Sequence, residues 1–263
     1  MKYWIFIILL SASLFTKGQS NDSLGNALLN AEMHFWQAGN DSTRYSALLQ
    51  KVHIYRLAGL YHQAINEVER SSQYALKSDE KSQLKYEELL NNFLNNDYGY
   101  CTTFRFDSNE GISYSKQIEL IQLYSLNELQ EWANCKKEMV AYLDKTDTVK
   151  IKEILNLPET YQYKDPVKSK RLSAFLPGLG EIYDGYPIKG VTSFVITAGF
   201  LTFAGYNFYL HYYVTGFFSG VFPMTKFYGG GKRLSVNLAD RHNQKEINKI
   251  KKLYSNEILG SVK

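Results

Sequence analysis

The chain has 263 residues, enough for one large domain or two modest ones. Its formal net charge of +4 is small and dispersed, so nucleic acid is not expected among its partners. Aromatic residues are abundant, with 21 Tyr and 15 Phe, and the first of the five Pro residues is Pro158, which leaves a long stretch without the residue that most disrupts helix interiors.

At the N-terminus, Lys2 precedes the apolar run Trp4-Ile5-Phe6-Ile7-Ile8-Leu9-Leu10, and Thr16-Lys17-Gly18-Gln19-Ser20 follows it. A charged start, a short apolar core and small residues near a cut are the pattern of a secretory leader. The apolar core is too short for a comfortable membrane span. Residues 1–19 are therefore expected to be a signal peptide, with a retained signal anchor as the alternative. Either way the following segment is exported. No Cys lies near the cut, so a lipidated N-terminus is not expected.

Residues 20–157 show helical periodicity and no strand alternation. Leu48, Val52, Tyr55 and Leu60 lie at near-helical spacing, as do Leu84, Leu89, Leu90, Phe93 and Leu94, and Ile118, Ile121, Leu123 and Leu126. Short breakers such as Ala58-Gly59 and Asn95-Asn96-Asp97 separate these runs. Three junctions then align. Each has an aromatic residue (Tyr61, Tyr98, Trp132), two variable residues and a small one (Ala64, Cys101, Cys135), and the small residues are spaced by 37 and 34. This pattern resembles the tetratricopeptide repeat, in which the small residue opens the second helix of a hairpin where the two helices approach closely. The best match is Tyr55-Arg56-Leu57-Ala58-Gly59-Leu60-Tyr61-His62-Gln63-Ala64-Ile65. The other two junctions lack the turn Gly, and Arg105 stands where a large apolar residue is usual. The resemblance implies a stacked helical array whose curved surface holds a protein or peptide partner. It also makes Cys101 and Cys135 equivalent packing positions. Helices pack roughly 10 Å apart, too far for a bridge, which favours free thiols over a disulfide.

Composition shifts at Pro158. Residues 158–168 read as a linker, and residues 169–263 as a second region. Leu172, Phe175, Leu176 and Leu179 form one face of a short amphipathic segment, broken at Pro177-Gly178. Residues 190–231 carry a single charge, Lys226, with His211 beside it as a titratable group. Residues 191–209 form a 19-residue apolar run, about 28 Å long as a helix and close to the hydrocarbon thickness. Residues 212–228 form a second run, interrupted by Pro223. Tyr206, Tyr209, Tyr212 and Tyr213 crowd the turn between them, as suits a headgroup boundary. Gly199, Gly205, Gly216 and Gly220 would let two helices approach in lipid. The stretch Pro177-Gly178-Leu179-Gly180-Glu181-Ile182-Tyr183-Asp184-Gly185, then Lys189-Gly190, resembles the C-terminal hydrophobic module of bacterial envelope proteins that carry tetratricopeptide repeats in front of it. It is similar also to the glycine-and-tyrosine motif of the TM2 domain. The resemblance implies two membrane helices after the motif and marks Pro177, Gly178, Gly180, Tyr183, Gly185 and Gly190. The glycines are expected to serve a sharp re-entry of the chain into the bilayer. Gly229-Gly230-Gly231 is expected to end a helix at the interface. In the tail, Ile247, Ile250 and Tyr254 share one face and Lys245, Lys249 and Lys252 another, as in an interfacial helix.

Both flanks of the hairpin are basic, with Lys168, Lys170 and Arg171 before it and Lys232 and Arg233 after it. The positive-inside rule places both in the cytoplasm, whereas an exported N-terminal domain places them outside. The leader is given precedence, and the charges are assigned to anionic lipid headgroups.

Catalytic and metal-binding patterns are absent from the sequence. His34, His53, His62, His211 and His242 are scattered without ligand spacing. Gly229-Gly230-Gly231-Lys232 fails as a phosphate loop, because Lys226 occupies the required first Gly and Arg233 replaces the hydroxyl residue. No enzymatic activity, cofactor or metal is expected. The expected fold is all-α: a tetratricopeptide-like hairpin array, then a transmembrane helical hairpin. The expected role is an interaction scaffold in a Gram-negative-type cell envelope, repeats on the periplasmic side and lipid at the hairpin. The alternative is a lipid-handling or small transport component.

Overall fold

The structure, a computed structural model, describes residues 21–74, 77–105, 114–143 and 148–261. The expected leader, residues 1–19, lies outside them. The fold is all-α, and no strand occurs among the described residues. Two compact units form: one runs to Leu157 and takes in the chain from Ser255, and the other is Pro158–Tyr254.

The first unit contains α1 (Asn21–Gln37), α2 (Asp41–Leu57), α3 (Tyr61–Ser71), α4 (Ser78–Leu94), α5 (Tyr98–Thr103), α6 (Ser115–Glu128), α7 (Trp132–Tyr142) and α8 (Thr148–Leu155). Each helix packs on the next in sequence, and α4 also packs on α6, the first helix of the following hairpin. Tyr45, Val52, Ala64, Val68 and Leu84 form one buried cluster, and Leu89, Leu90, Cys101, Ile118 and Ile121 another.

The hairpins α2–α3, α4–α5 and α6–α7 close through one backbone turn. Its central residue has positive φ: Gly59 at +74°, Asn96 at +64° and Gln130 at +63°. The next residue (Leu60, Asp97 or Glu131) has φ of −93°, −85° or −83° and ψ of 60°, 67° or 57°. Its N–H reaches back to Tyr55, Asn92 or Leu126 at 2.9, 2.9 and 3.0 Å, the long bond of a Schellman motif. The missing turn glycines in the second and third junctions therefore leave the turn intact. Asn and Gln occupy the same left-handed slot, which costs an L-residue roughly 1–2 kcal/mol.

Five residues past each left-handed residue stands the small residue, and it meets the residue twelve positions earlier. Ala64 and Val52 share one cluster. Cys101 Sγ donates to the Leu89 carbonyl at 3.6 Å, and Cys135 Sγ to the Leu123 carbonyl at 3.5 Å. Both thiols are free and buried, and burial pushes the Cys101 thiol up to about 11 and the Cys135 thiol up to about 12. Tyr61, Tyr98 and Trp132 each begin the second helix of a hairpin. Trp132 is buried, its Nε1 donating to Asn127 Oδ1 at 3.2 Å, while Tyr98 packs edge-on to Phe93 and donates to Asn96 Oδ1 at 2.8 Å.

An ion cluster ties α1, α2 and α3 together. Lys51 Nζ lies 2.7 Å from both Glu32 and Glu67, and Arg70 donates to Glu32 at 3.1 Å while stacking over Phe35 at 4.4 Å. The Arg70 hydrogen bond holds the Glu32 carboxyl down at about 2, with burial opposing and Lys51 adding to it.

The second unit contains α9 (Pro166–Phe175), α10 (Leu179–Tyr183), α11 (Pro187–Tyr209), the short α12 (Tyr213–Thr215), a π-helical turn Gly216–Val221, and most of α13 (Phe222–Ser261). The expected linker, 158–168, is shortened because Pro166 suits the first helical position, where no backbone donor is needed, and Asp165 caps the helix through Val167 N at 2.8 Å. The expected terminator Gly229-Gly230-Gly231 lies inside the 40-residue α13. Glycine costs a helix about 1 kcal/mol per residue, and this helix continues through all three. Nor is the tail a free interfacial helix: Ile247, Ile250 and Tyr254 are buried by protein. The hairpin turn recurs twice more, at Gly185 (φ +89°) with Tyr186 and at His211 (φ +66°) with Tyr212. Tyr186 N reaches Glu181 O at 2.8 Å, and Tyr212 N reaches Asn207 O at 2.9 Å.

Two outcomes follow for the first unit. Gln130→Gly is expected to raise its unfolding free energy by about 1 kcal/mol, and Gly59→Gln to lower it comparably, read by urea unfolding. Because the folded pKa of Glu32 is depressed, its contribution is complete above 4.5 and is lost as pH falls toward about 2. Hydrogen exchange in α1–α3 should show that loss in the native chain and a flatter profile in Glu32→Gln.

Candidate functional site

The glycine-rich motif sits where α9, α10 and α11 meet. Pro177 is half-buried between α9 and α10. Gly178 has φ +92°, and a Cβ on it would lie 2.0 Å from the Gly190 carbonyl oxygen; one on Gly190 would lie 2.4 Å from the Gly178 carbonyl oxygen. A Cβ on Gly180 would lie 2.3 Å from the Ser169 carbonyl oxygen. These glycines serve backbone-to-backbone contact among three helices. Gly185 supplies the left-handed turn residue. Tyr183 is half-buried beneath two cations, Lys164 Nζ at 4.8 Å and Lys168 Nζ at 5.1 Å from its ring centre.

Between the motif glycines lie two acids that the pattern reading passed over. Glu181 and Asp184 are fully buried. Ser173 Oγ of α9 donates to Glu181 Oε2 at 2.8 Å, and Ser193 Oγ of α11 donates to Oε1 at 3.1 Å. Ser169 Oγ donates to Asp184 Oδ2 at 2.6 Å, and Gly180 N donates to Ser173 Oγ at 3.1 Å. Asp184 Oδ1 and His242 Nε2 are buried without a hydrogen-bond partner. Burial pushes the Asp184 carboxyl above its ordinary range; the Ser169 bond opposes this, Glu181 adds to it, and His242 and Lys164 oppose it. The signal available in the sequence was the Ser169/Ser173 pair one helical turn apart, followed by acids directly before a long acid-free stretch. No group of three or more His, Cys, Asp or Glu among the described residues could hold a metal ion.

The second unit buries polar residues alongside apolar ones and leaves large apolar side chains exposed. Ser169, Ser173, Glu181, Asp184, Thr197, Asn207, Ser235 and Asn243 are buried. Phe175, Ile188, Tyr209 and Val214 are 88%, 81%, 79% and 73% exposed. α11 is the one helix among the described residues long and apolar enough to cross a membrane, and 17% of its apolar stretch is buried. A core helix of a water-soluble domain hides such a stretch. Gly216 and Gly220 pack on this helix, where added Cβ atoms would come within 2.7 Å of Phe208 and 2.5 Å of Ala204.

The first unit offers a groove of about 950 Å³ lined by the end of α5 and by α6 and α7. It opens where α5 stops after six residues, against eleven in α3 and in α7. Thr102 and Thr103 end α5 by returning their hydroxyls to the carbonyls of Gly99 and Tyr100, at 3.0 and 3.1 Å. Arg105 therefore lies beyond the helix and lines the groove, which accounts for its departure from the apolar pattern. Gln122 Nε2 fixes this edge by donating to the Phe104 carbonyl at 2.8 Å. Glu119, Lys137 and Glu138 line the groove too, and burial holds Glu119 above the ordinary carboxylate range, with Lys116 opposing and Glu138 adding.

No protein-family model, curated protein or solved structure matches this chain.

Gly190→Ala is expected to cost about 1–3 kcal/mol, because both backbones must separate to admit the methyl; thermal unfolding in detergent measures it. The raised Asp184 pKa makes the second unit lose stability as pH rises above 3.8, since the folded state holds the proton longer than the unfolded one. Asp184→Asn should flatten that dependence in the same assay.

Proposed function

We propose that the chain is a membrane-anchored scaffold of the cell envelope, whose second unit embeds in lipid and whose first unit holds a protein or peptide partner in the α5–α7 groove. The observation that carries this reading is α11, apolar along its length and exposed over most of it. Lipid is the solvent that makes such a surface stable. The groove supports the partner half: its mixed charges on Arg105, Glu119 and Lys137 suit a peptide of mixed charge better than nucleic acid. With an N-terminal leader, the repeats stand on the periplasmic side of a Gram-negative-type envelope. A second reading, a lipid-handling or small transport component, draws support from a cavity of about 310 Å³ between α11 and α13.

Fractionation with protease accessibility tests the first reading. The chain should stay with membranes after alkaline carbonate washing, and protease added to spheroplasts should digest the repeats. Recovery as a monodisperse protein in detergent-free buffer would remove the anchoring half. A photoreactive residue at Thr102, in the groove, should give a discrete crosslinked product that one at Glu69 does not; identical patterns from both would remove the partner half.

A further inference from the structure

The cavity between α11 and α13 is lined by Thr192, Ser193 and Thr197 on one side and by Lys226, Gly230 and Gly231 on the other. Its depth along α11 follows from a ring stack. Phe200 and Phe227 lie 5.3 Å apart, so Lys226 stands near the level of Phe200, about 20 Å from the start of a 23-residue helix. On the membrane reading Lys226 is rooted in the hydrocarbon layer, where a cation is costly and marks a functional position, while the wall it faces, Thr192 to Thr197, lies about 8–15 Å from the start of α11, toward the headgroup level. Residues 190–231 contain no Asp or Glu, and Lys226 makes no ion pair among the described residues. Its ammonium lies 5.4 Å from the Phe222 ring.

The hydroxyls of the opposite wall cannot serve an anion, because their protons are committed. Thr192 donates to the Ile188 carbonyl at 2.8 Å, Thr197 to the Ser193 carbonyl at 2.8 Å, and Ser193 to Glu181 at 3.1 Å. They offer lone pairs only, and a hydroxyl that donates to a carboxylate is the stronger acceptor for it. The Glu181 carboxylate itself stands behind this wall, with Oε1 3.6 Å from where a Cβ on Gly231 would be. The cavity thus pairs one free cation with a row of acceptors backed by a buried acid, and its rim is the apolar surface of Ile196 and Phe227.

We propose that this cavity binds the headgroup of a phospholipid bearing a primary ammonium, its phosphate on Lys226 and its N–H donors on the Ser193 and threonine oxygens. The inference rests on the membrane-embedded reading. A choline headgroup has the same charges but no N–H to donate. A glycerol headgroup has donors but brings no cation to the acid-backed wall.

The test uses the full chain in nanodiscs of ethanolamine, choline and glycerol phospholipids in equal amounts, with matched acyl chains. After mild re-extraction, retained lipid is quantified by mass spectrometry. The ethanolamine lipid should be enriched about tenfold over the choline lipid, the worth of one to two hydrogen bonds. Lys226→Gln should lower retention of all three lipids. Ser193→Ala should abolish the ethanolamine preference, and Ser193→Thr, which keeps the hydroxyl, should restore it. Equal retention of ethanolamine and choline lipids, a preference for glycerol lipid, or no effect of Lys226→Gln overturns the proposal while leaving the anchor intact. A chain that never enters the discs overturns both.

Discussion

Glu181 sets the terms for the second unit. A carboxylate with no exposed surface is costly unless its oxygens are occupied by donors. Here both are, by Ser173 from α9 and Ser193 from α11, while Glu181 itself stands on α10. Three helices are thereby held by one side chain, at distances that only short residues permit. That is why glycines surround it: Gly180 admits the Ser169 backbone, and Gly178 and Gly190 admit each other. A larger residue at any of these positions would draw the hydroxyls out of reach and leave the acid unsatisfied.

In the second unit, hydroxyls, amides and acids share the interior with Leu238, Ala239, Ile247, Ile250 and Tyr254, while apolar side chains of α11 stand on the outside. The first unit buries mainly apolar clusters, carries an ion cluster where α1, α2 and α3 meet, and has a groove rimmed by charge.

Helical spacing in the sequence made the hairpins legible, because buried positions such as Val52, Leu89 and Leu123 recur with the helical period. The small residues at 64, 101 and 135 were legible for a related reason: close helix approach limits side-chain size. Continuity of α13 was not legible, since Gly229-Gly230-Gly231 carries the local signature of a terminator while the flanking turns decide for the helix. The roles of Glu181 and Asp184 were hidden too. A charged residue next to a glycine turn reads as solvent-facing, and only the return of Ser169, Ser173 and Ser193 from other helices reverses that. Arg105 looked like a defect in a repeat because the early end of α5 depends on two threonine hydroxyls.

One connector joins helices in both units: a left-handed residue, one with ψ near 60°, then a small residue five positions past the first. The left-handed slot is filled by Gly59, Asn96, Gln130, Gly185 and His211, and the small one by Ala64, Cys101, Cys135, Gly190 and Gly216. Backbone hydrogen bonds define this joint, so it is indifferent to the medium around it. A helical pair built on it keeps its form while the side chains of its outer face change, so one joint serves surfaces as different as the charged groove of the first unit and the apolar face of α11.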